Sequence, residues 1–238
     1  MKIRHLHQWS VTVEQAQELQ RRLAPQVSRR DEIGTVSFIA GVDISAPDIH
    51  RVAKGAVVVV SYPELEVVDK EVVEDRVEFP YVPGLLSFRE SPLIVKALEA
   101  LSTTPDLLLV DGQGLAHPRR FGLACHLGLL TDIPTIGCAK SILVGKHGLL
   151  AEEVGFHAEL VDRGEVVGAA LRTKTKTNPI YASIGHKVDL EAAIHWTLAC
   201  CRGYRMPEPT RLAHLAAGGQ LKEMPSRAER GVQGQLPL

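Results

Sequence analysis

The chain has 238 residues, 45% of them hydrophobic and 23% charged, which fits a folded globular protein and excludes a mainly disordered or collagen-like one. Its 27 basic and 28 acidic residues leave a formal net charge of −1, so any affinity for a polyanion has to come from local patches and not from a bulk basic excess. The longest apolar runs, such as Ala56–Val60 and Leu107–Val110, fall far short of the ~20 residues that span a bilayer, and the opening MKIRHLHQWS carries no apolar signal region. No membrane partner and a cytoplasmic location are therefore expected.

Residues 12–29 read as a helix, with Val13, Ala16, Leu19 and Leu23 at helical spacing. A strand is expected over 34–45, where Val36, Phe38, Ala40, Val42 and Ile44 alternate, and two more over 53–61 and 66–78, separated by a turn at Pro63-Glu64. Together they make an antiparallel meander. The pattern then changes: a helix over 88–101, a buried strand within 106–114 that runs into a glycine-bearing loop, a helix over 117–130 and a buried strand over 134–139. A hairpin over 165–184 and helices at 189–201 and 210–217 follow. Short strands alternating with helices argue for parallel pairing in this half. The fold class expected is α/β, a mixed sheet of an antiparallel meander plus parallel strands, flanked by helices on both faces. A single domain is expected over 1–217, followed by a flexible tail over 218–238, rich in Gly, Gln and Pro. Cys125, Cys138, Cys200 and Cys201 have no zinc spacing and read as reduced thiols packed as small hydrophobes.

Three carboxylates stand in positions that could carry chemistry. Asp43 and Asp111 each end a buried strand, the place where open α/β sheets put their ligands. If those strands are neighbours the two carboxylates lie side by side, and a divalent cation such as Mg²⁺ would cancel their repulsion. Glu90 is the third, although Ser87-Phe88-Arg89-Glu90 also reads as a capping box at a helix start. The segment Phe79-Pro80-Tyr81-Val82-Pro83-Gly84-Leu85-Leu86 is apolar and stiffened by prolines; it could be a wedge into a base stack or a loop whose Tyr folds back onto the core. In the loop from Asp111 to Gly122, small residues combine with His117, Arg119 and Arg120, which could meet phosphates. Arg172, Lys174, Lys176 and Lys187 read either as a phosphate-tracking edge or as a charged strand edge. Lys140 follows a buried strand and could reach the rim of Asp111. Arg211 and His214 share a helix face, by default a solvated one.

Five segments carry a resemblance. They are Gly41-Val42-Asp43-Ile44-Ser45, the block from Pro80-Tyr81-Val82-Pro83 to Phe88-Arg89-Glu90, Asp111-Gly112-Gln113-Gly114 through His117-Pro118-Arg119, Gly137-Cys138-Ala139-Lys140-Ser141, and Ser183-Ile184-Gly185-His186. In this order the chain resembles the endonuclease V family of deoxyinosine-directed repair nucleases; Val82, where Ile is common, is a mild departure. The resemblance implies a ribonuclease H-like fold and Mg²⁺-dependent hydrolysis, with Mn²⁺ able to substitute. The bond cut would be the second phosphodiester 3′ to a deaminated adenine, leaving a 3′-hydroxyl and a 5′-phosphate. It implies that Asp43 and Asp111 hold the metal, with Glu90 joining directly or through water. His214 would position or deprotonate the attacking water, Lys140 would lie near the scissile phosphate, and Tyr81 with Pro80, Val82 and Pro83 would form the wedge. A pocket of backbone groups around Gly84, Leu85, Gly112 and Gly122 would read hypoxanthine, with His117 beside it. The expected partner is DNA containing deoxyinosine or other deaminated bases, bound by a monomer. Alternatives are a ribonuclease H-like nuclease on inosine-containing RNA, a damaged-DNA-binding module that does not cut, and a small-molecule phosphoesterase.

Overall fold

A computed structural model describes residues 1–221. Helix α1 (Val13–Leu23) opens with a capping box in which the Thr12 hydroxyl accepts from the Gln15 amide and the Gln15 side chain accepts from Thr12 N–H. It stops six residues before the expected end, because Pro25 turns the chain into a short 3₁₀ segment over Ala24–Gln26. Strands β1 (Phe38–Ile44), β2 (Val52–Ser61) and β3 (Val67–Arg76) form the meander, and the chain turns between β2 and β3 at the expected Pro63-Glu64. Helix α2 (Leu86–Ala100) leads to β4 (Leu107–Val110), and α3 (Leu123–Thr131) to β5 (Thr135–Ala139). Then come β6 (His157–Asp162), β7 (Glu165–Leu171), β8 (Ile180–His186), α4 (Leu190–Ala199) and α5 (Glu208–Ala217).

The eight strands form one mixed sheet in the order β3-β2-β1-β4-β5-β8-β7-β6. β1, β4 and β5 run parallel, and every other pairing is antiparallel. β4 is apolar at every position because both of its faces are buried. One face (Ile39, Val58, Leu109, Ile136) packs under α5 and α4, the other (Val42, Val59, Leu108, Val110) under α2 and α3.

Two differences from the sequence reading have local causes. The helix expected from 117 begins only at Leu123, since 117–122 forms the loop that Pro118 and Gly122 favour. β6 lies outside the expected elements: it is a short edge strand whose alternation, with Ala158 and Leu160 inward, is broken by a bulge that leaves Val161 exposed. Its signal was Arg163-Gly164, both at positive φ, a two-residue hairpin turn into β7. Cys125, Cys138 and Cys200 are buried free thiols, and burial pushes Cys125 and Cys200 up to about 12. No helix among the described residues is long and apolar enough to cross a membrane. From residue 222 onward the expected tail lies outside the described residues; before it, Leu221 packs on the core beside α5.

Candidate active site

The parallel pairing of β1 with β4 aligns Val42 with Val110, and the Asp111 amide donates to the Val42 carbonyl. Asp43 and Asp111 are therefore neighbours at the carboxyl ends of adjacent central strands. Both lie on the face covered by α5, opposite the side chains of Val42 and Val110. Helix α5 comes this close because of Gly41: a Cβ there would stand 2.0 Å from the Pro209 carbonyl. One turn beyond Pro209, α5 presents His214, whose Nδ1 is 2.7 Å from Asp43 Oδ2. His214 does lie on a solvated face, its side chain 64% exposed, and from that face it makes the contact with Asp43. Lys140, just past β5, forms an ion pair with Asp111.

Glu90 approaches from α2 on the other face. Burial, then the charges of Asp43 and Asp111, push its carboxyl well above the usual range; burial and Asp111 raise Asp43 in the same direction. Its capping role is not realised. α2 begins at Leu86 with Leu85 as its cap residue, Ser87 lies inside the helix, and the buried Ser87 hydroxyl has no partner among the described residues.

Among the described residues, no three His, Cys, Asp or Glu side chains stand close enough to enclose an ion. The expected three-carboxylate cage is thus not closed. The donor chemistry still fits a hard divalent cation: the candidate ligands are carboxylate oxygens, and Asp43 and Glu90 hold their protons more tightly for being buried beside neighbouring carboxylates, which is how a site short of positive charge behaves.

Beside Asp111 opens a cavity of about 290 Å³, lined among others by Tyr81, Val82, Pro83, Gly84, Gly112 and Gly122, with His117 and Lys140 at its edge. Tyr81 is 71% exposed, so it does not fold back on the core. Pro80 faces a separate groove with Trp9, Phe79 and Arg89. Two expectations need correction. Leu85 is fully buried with Ala16, Phe79 and Phe88, its N–H donates to the Val82 carbonyl, and it does not line the cavity, where Leu86 does. His117, Arg119 and Arg120 are not phosphate contacts as they stand. Arg120 is paired with Asp162 and Glu165, and Arg119 is spent on Gln20 and the Gly84 carbonyl. His117 is buried, its Nε2 on the Gly84 carbonyl and its Nδ1 accepting from Arg119 N–H; burial holds it neutral, at about 4. The basic run over 172–187 is divided as well. Arg172, Lys174 and Lys176 lie in the β7–β8 loop at the end of the sheet that carries Lys140, whereas Lys187 pairs with Asp132 at the other end.

Comparison with known proteins gives one consistent result. The family model for endonuclease V matches residues 21–215. An endonuclease V of Gloeobacter violaceus is 54% identical over 212 residues, covering 88% of this chain and 86% of its own. The crystal structure of the Streptomyces avermitilis endonuclease V superposes with a TM-score of 0.84 at 42% identity, covering 90% of this chain and 94% of that one. The Ciona intestinalis endonuclease V, solved in complex with a 24mer DNA containing an inosine followed by a ribo-adenosine, superposes with a TM-score of 0.75 at 29% identity, covering 88% and 97% of the two chains. On a shared fold and sequence over nearly its whole described length, this chain belongs to the endonuclease V family of nucleases.

Proposed function

We propose that this protein nicks DNA at the second phosphodiester bond 3′ to a deoxyinosine, leaving a 3′-hydroxyl and a 5′-phosphate. The observation that carries the reading is the placement of an Asp43–Asp111 pair, backed by His214 and Lys140, beside a cavity whose rim holds the exposed Tyr81. A non-cutting binder has no use for paired carboxylates, and a small-molecule phosphoesterase has none for a protruding aromatic loop. The inosine-bearing DNA held by the Ciona relative supports the same substrate class.

Asp43 and Asp111 would hold a divalent cation, Mg²⁺ or Mn²⁺ in its place, with Glu90 adding charge from α2. When bound, the ion would polarise the phosphate and make water more acidic. Asp43 orients the His214 ring through Nδ1, which leaves Nε2 for the proton of the attacking water. The water oxygen bonds to phosphorus, the bond to the 3′ oxygen breaks, and that oxygen gains a proton. Lys140, already on the rim with Asp111, places its ammonium beside the phosphate. Tyr81 fills the stack vacated by the lesion; Gly112 and Gly122 line the cavity, and Gly122 lets the loop close on itself, since a Cβ there would stand 2.2 Å from the Gln113 carbonyl. Displacing a base costs a few kcal/mol, least for a mispaired one, which favours inosine. Lys174 and Lys176, exposed at the same end of the sheet, would track the backbone.

The test is an end-labelled duplex with one deoxyinosine, incubated with Mg²⁺, with EDTA and with the Asp43→Ala protein. A Mg²⁺-dependent nick at the second bond 3′ to inosine, lost in the variant, is the expected result. Binding without a cut in any divalent metal would replace the enzyme reading with damage binding. The ribonucleotide that follows inosine in the Ciona complex favours one second reading, cleavage of inosine-containing RNA. Matched RNA and DNA strands compared in the same assay decide between them.

A further inference from the structure

Three side chains from two distant parts of the chain converge on one oxygen, the carbonyl of Gly84. Gln20 Nε2 donates at 3.0 Å, His117 Nε2 at 2.9 Å and Arg119 Nη2 at 2.7 Å. A carbonyl oxygen has two lone pairs, so three donors saturate it. The donors are themselves locked. Gln20 is 1% exposed; its Nε2 also donates to the Phe121 carbonyl at 3.0 Å, and its Oε1 accepts from Arg119 Nε at 2.5 Å. Gly84 sits at φ +77°, and a Cβ there would stand 2.9 Å from Arg119 Nη2, so the arrangement is shaped around a glycine.

This oxygen occupies a pivotal place. It lies three residues after Tyr81 and two before α2, the helix that brings Glu90 to the carboxylates. Phe121, the second acceptor of Gln20, precedes Gly122, which lines the cavity together with Gly84 and Gln20 itself. One buried amide therefore ties the aromatic loop to the Phe121–Gly122 backbone, while no hydrogen bond joins Gln20 to Asp43, Asp111, Glu90 or His214. Only an amide can do this: the site asks for donors to two carbonyls and an acceptor for a guanidinium.

We infer that Gln20, with Arg119, is a positioning residue that sets specificity by clamping the Tyr81 loop through the Gly84 carbonyl. This deepens the reading given under Proposed function and rests on it for the substrate. A clamped loop can push into a stacked duplex, because the force of separation is returned by rigid protein; a loosened loop yields instead. A single-stranded target has no opposing strand to separate and needs the clamp far less.

The test uses Gln20→Met and Arg119→Lys in the full chain, with two readouts. The first is cleavage of one deoxyinosine in a duplex and in the same strand alone. Each variant should lose about tenfold in kcat/KM on the duplex, the scale of one such hydrogen bond, and less than about twofold on the single strand. The second is amide hydrogen exchange of the free protein. Exchange at Val82, Gly84 and Leu85 should rise about tenfold, with β1 and β4 unchanged. A general loss of fold would speed exchange everywhere and lower both cleavage rates together, which would overturn the inference. Wild-type exchange in the loop, or an unchanged duplex-to-single-strand ratio in both variants, would do the same. A wild-type protein that cuts neither substrate would sink the functional reading, and the exchange measurement would still decide the clamp.

Discussion

The carboxylate end of the sheet and the mount of the Tyr81 loop lie a few residues apart and are built in opposite ways. At the strand ends, charge is crowded: Asp43 is raised toward its protonated form by burial and by Asp111, and Glu90 by burial and by the charges of Asp43 and Asp111. Under the loop, charge is suppressed: His117 is held neutral and donates to the same carbonyl as Gln20 and the Arg119 guanidinium. The first region stores unfavourable electrostatics that a cation would relieve. The second spends its polar groups on stiffness. Chemistry and recognition thus make different demands, one for unsatisfied charge and the other for satisfied hydrogen bonds.

The sharpest way to break this contrast is to remove the crowded charge. Asp43→Asn and Asp111→Asn should each lower cleavage of deoxyinosine DNA by at least about a thousandfold, read in single-turnover assays. Binding measured in EDTA should hardly change, since the loop mount is intact. His214→Ala should cost about a hundredfold in kcat with KM preserved, the usual scale for a general base. On the recognition side, Tyr81→Ala should cost roughly tenfold in lesion binding, as for one lost base–aromatic stack, with the single-strand cleavage rate much less affected.

The smallest effects are on stability, and their signs oppose one another. Glu90 has its folded-state pKa raised, so its contribution is complete at low pH and is lost as pH rises through that raised value. Glu90→Gln should therefore raise the melting temperature at pH 8 by about 2–4 °C for each kcal/mol of relieved repulsion, and by less at pH 5. His117 is lowered to about 4, and His7 and His126 are lowered as well, all chiefly by burial. Between the ordinary histidine range and pH 4 the unfolded chain binds more protons, so stability should fall as pH drops from about 6.5 toward 4. Chemical denaturation at stepped pH checks this, and His117→Gln should flatten part of the slope.

Much of the architecture was legible because central strands announce themselves: Leu107–Val110 and Thr135–Ala139 are short, apolar on both faces and bounded by turn residues. The same logic exposed Asp43 and Asp111, since a carboxylate closing such a run calls for a reason. His214 was harder, because nothing local links it to a residue 171 positions earlier and it lies outside the five motif segments; only the resemblance as a whole implied it, and the docking of α5 at Gly41 explains its place. Glu90 was ambiguous because a capping box and a catalytic carboxylate look alike until the helix start is known. The phosphate reading of His117, Arg119 and Arg120 failed because sequence does not tell whether a basic side chain faces water or a carbonyl. Gln20 had a signal that went unread. With Ala16 and Leu23 it lies on the buried stripe of α1, and an amide on such a stripe needs partners.

The backbone contact at Gly41 also bears on the order in which the molecule comes to life. Asp43, Glu90 and Asp111 belong to the first half of the chain, and β1 and β4, the strands beside Asp43 and Asp111, can pair as soon as β4 has formed. The histidine arrives only with the last described helix, roughly ten seconds of translation later at ordinary rates. Until that helix seats against Gly41, a growing chain carries the three carboxylates without the histidine that Asp43 meets in the folded molecule.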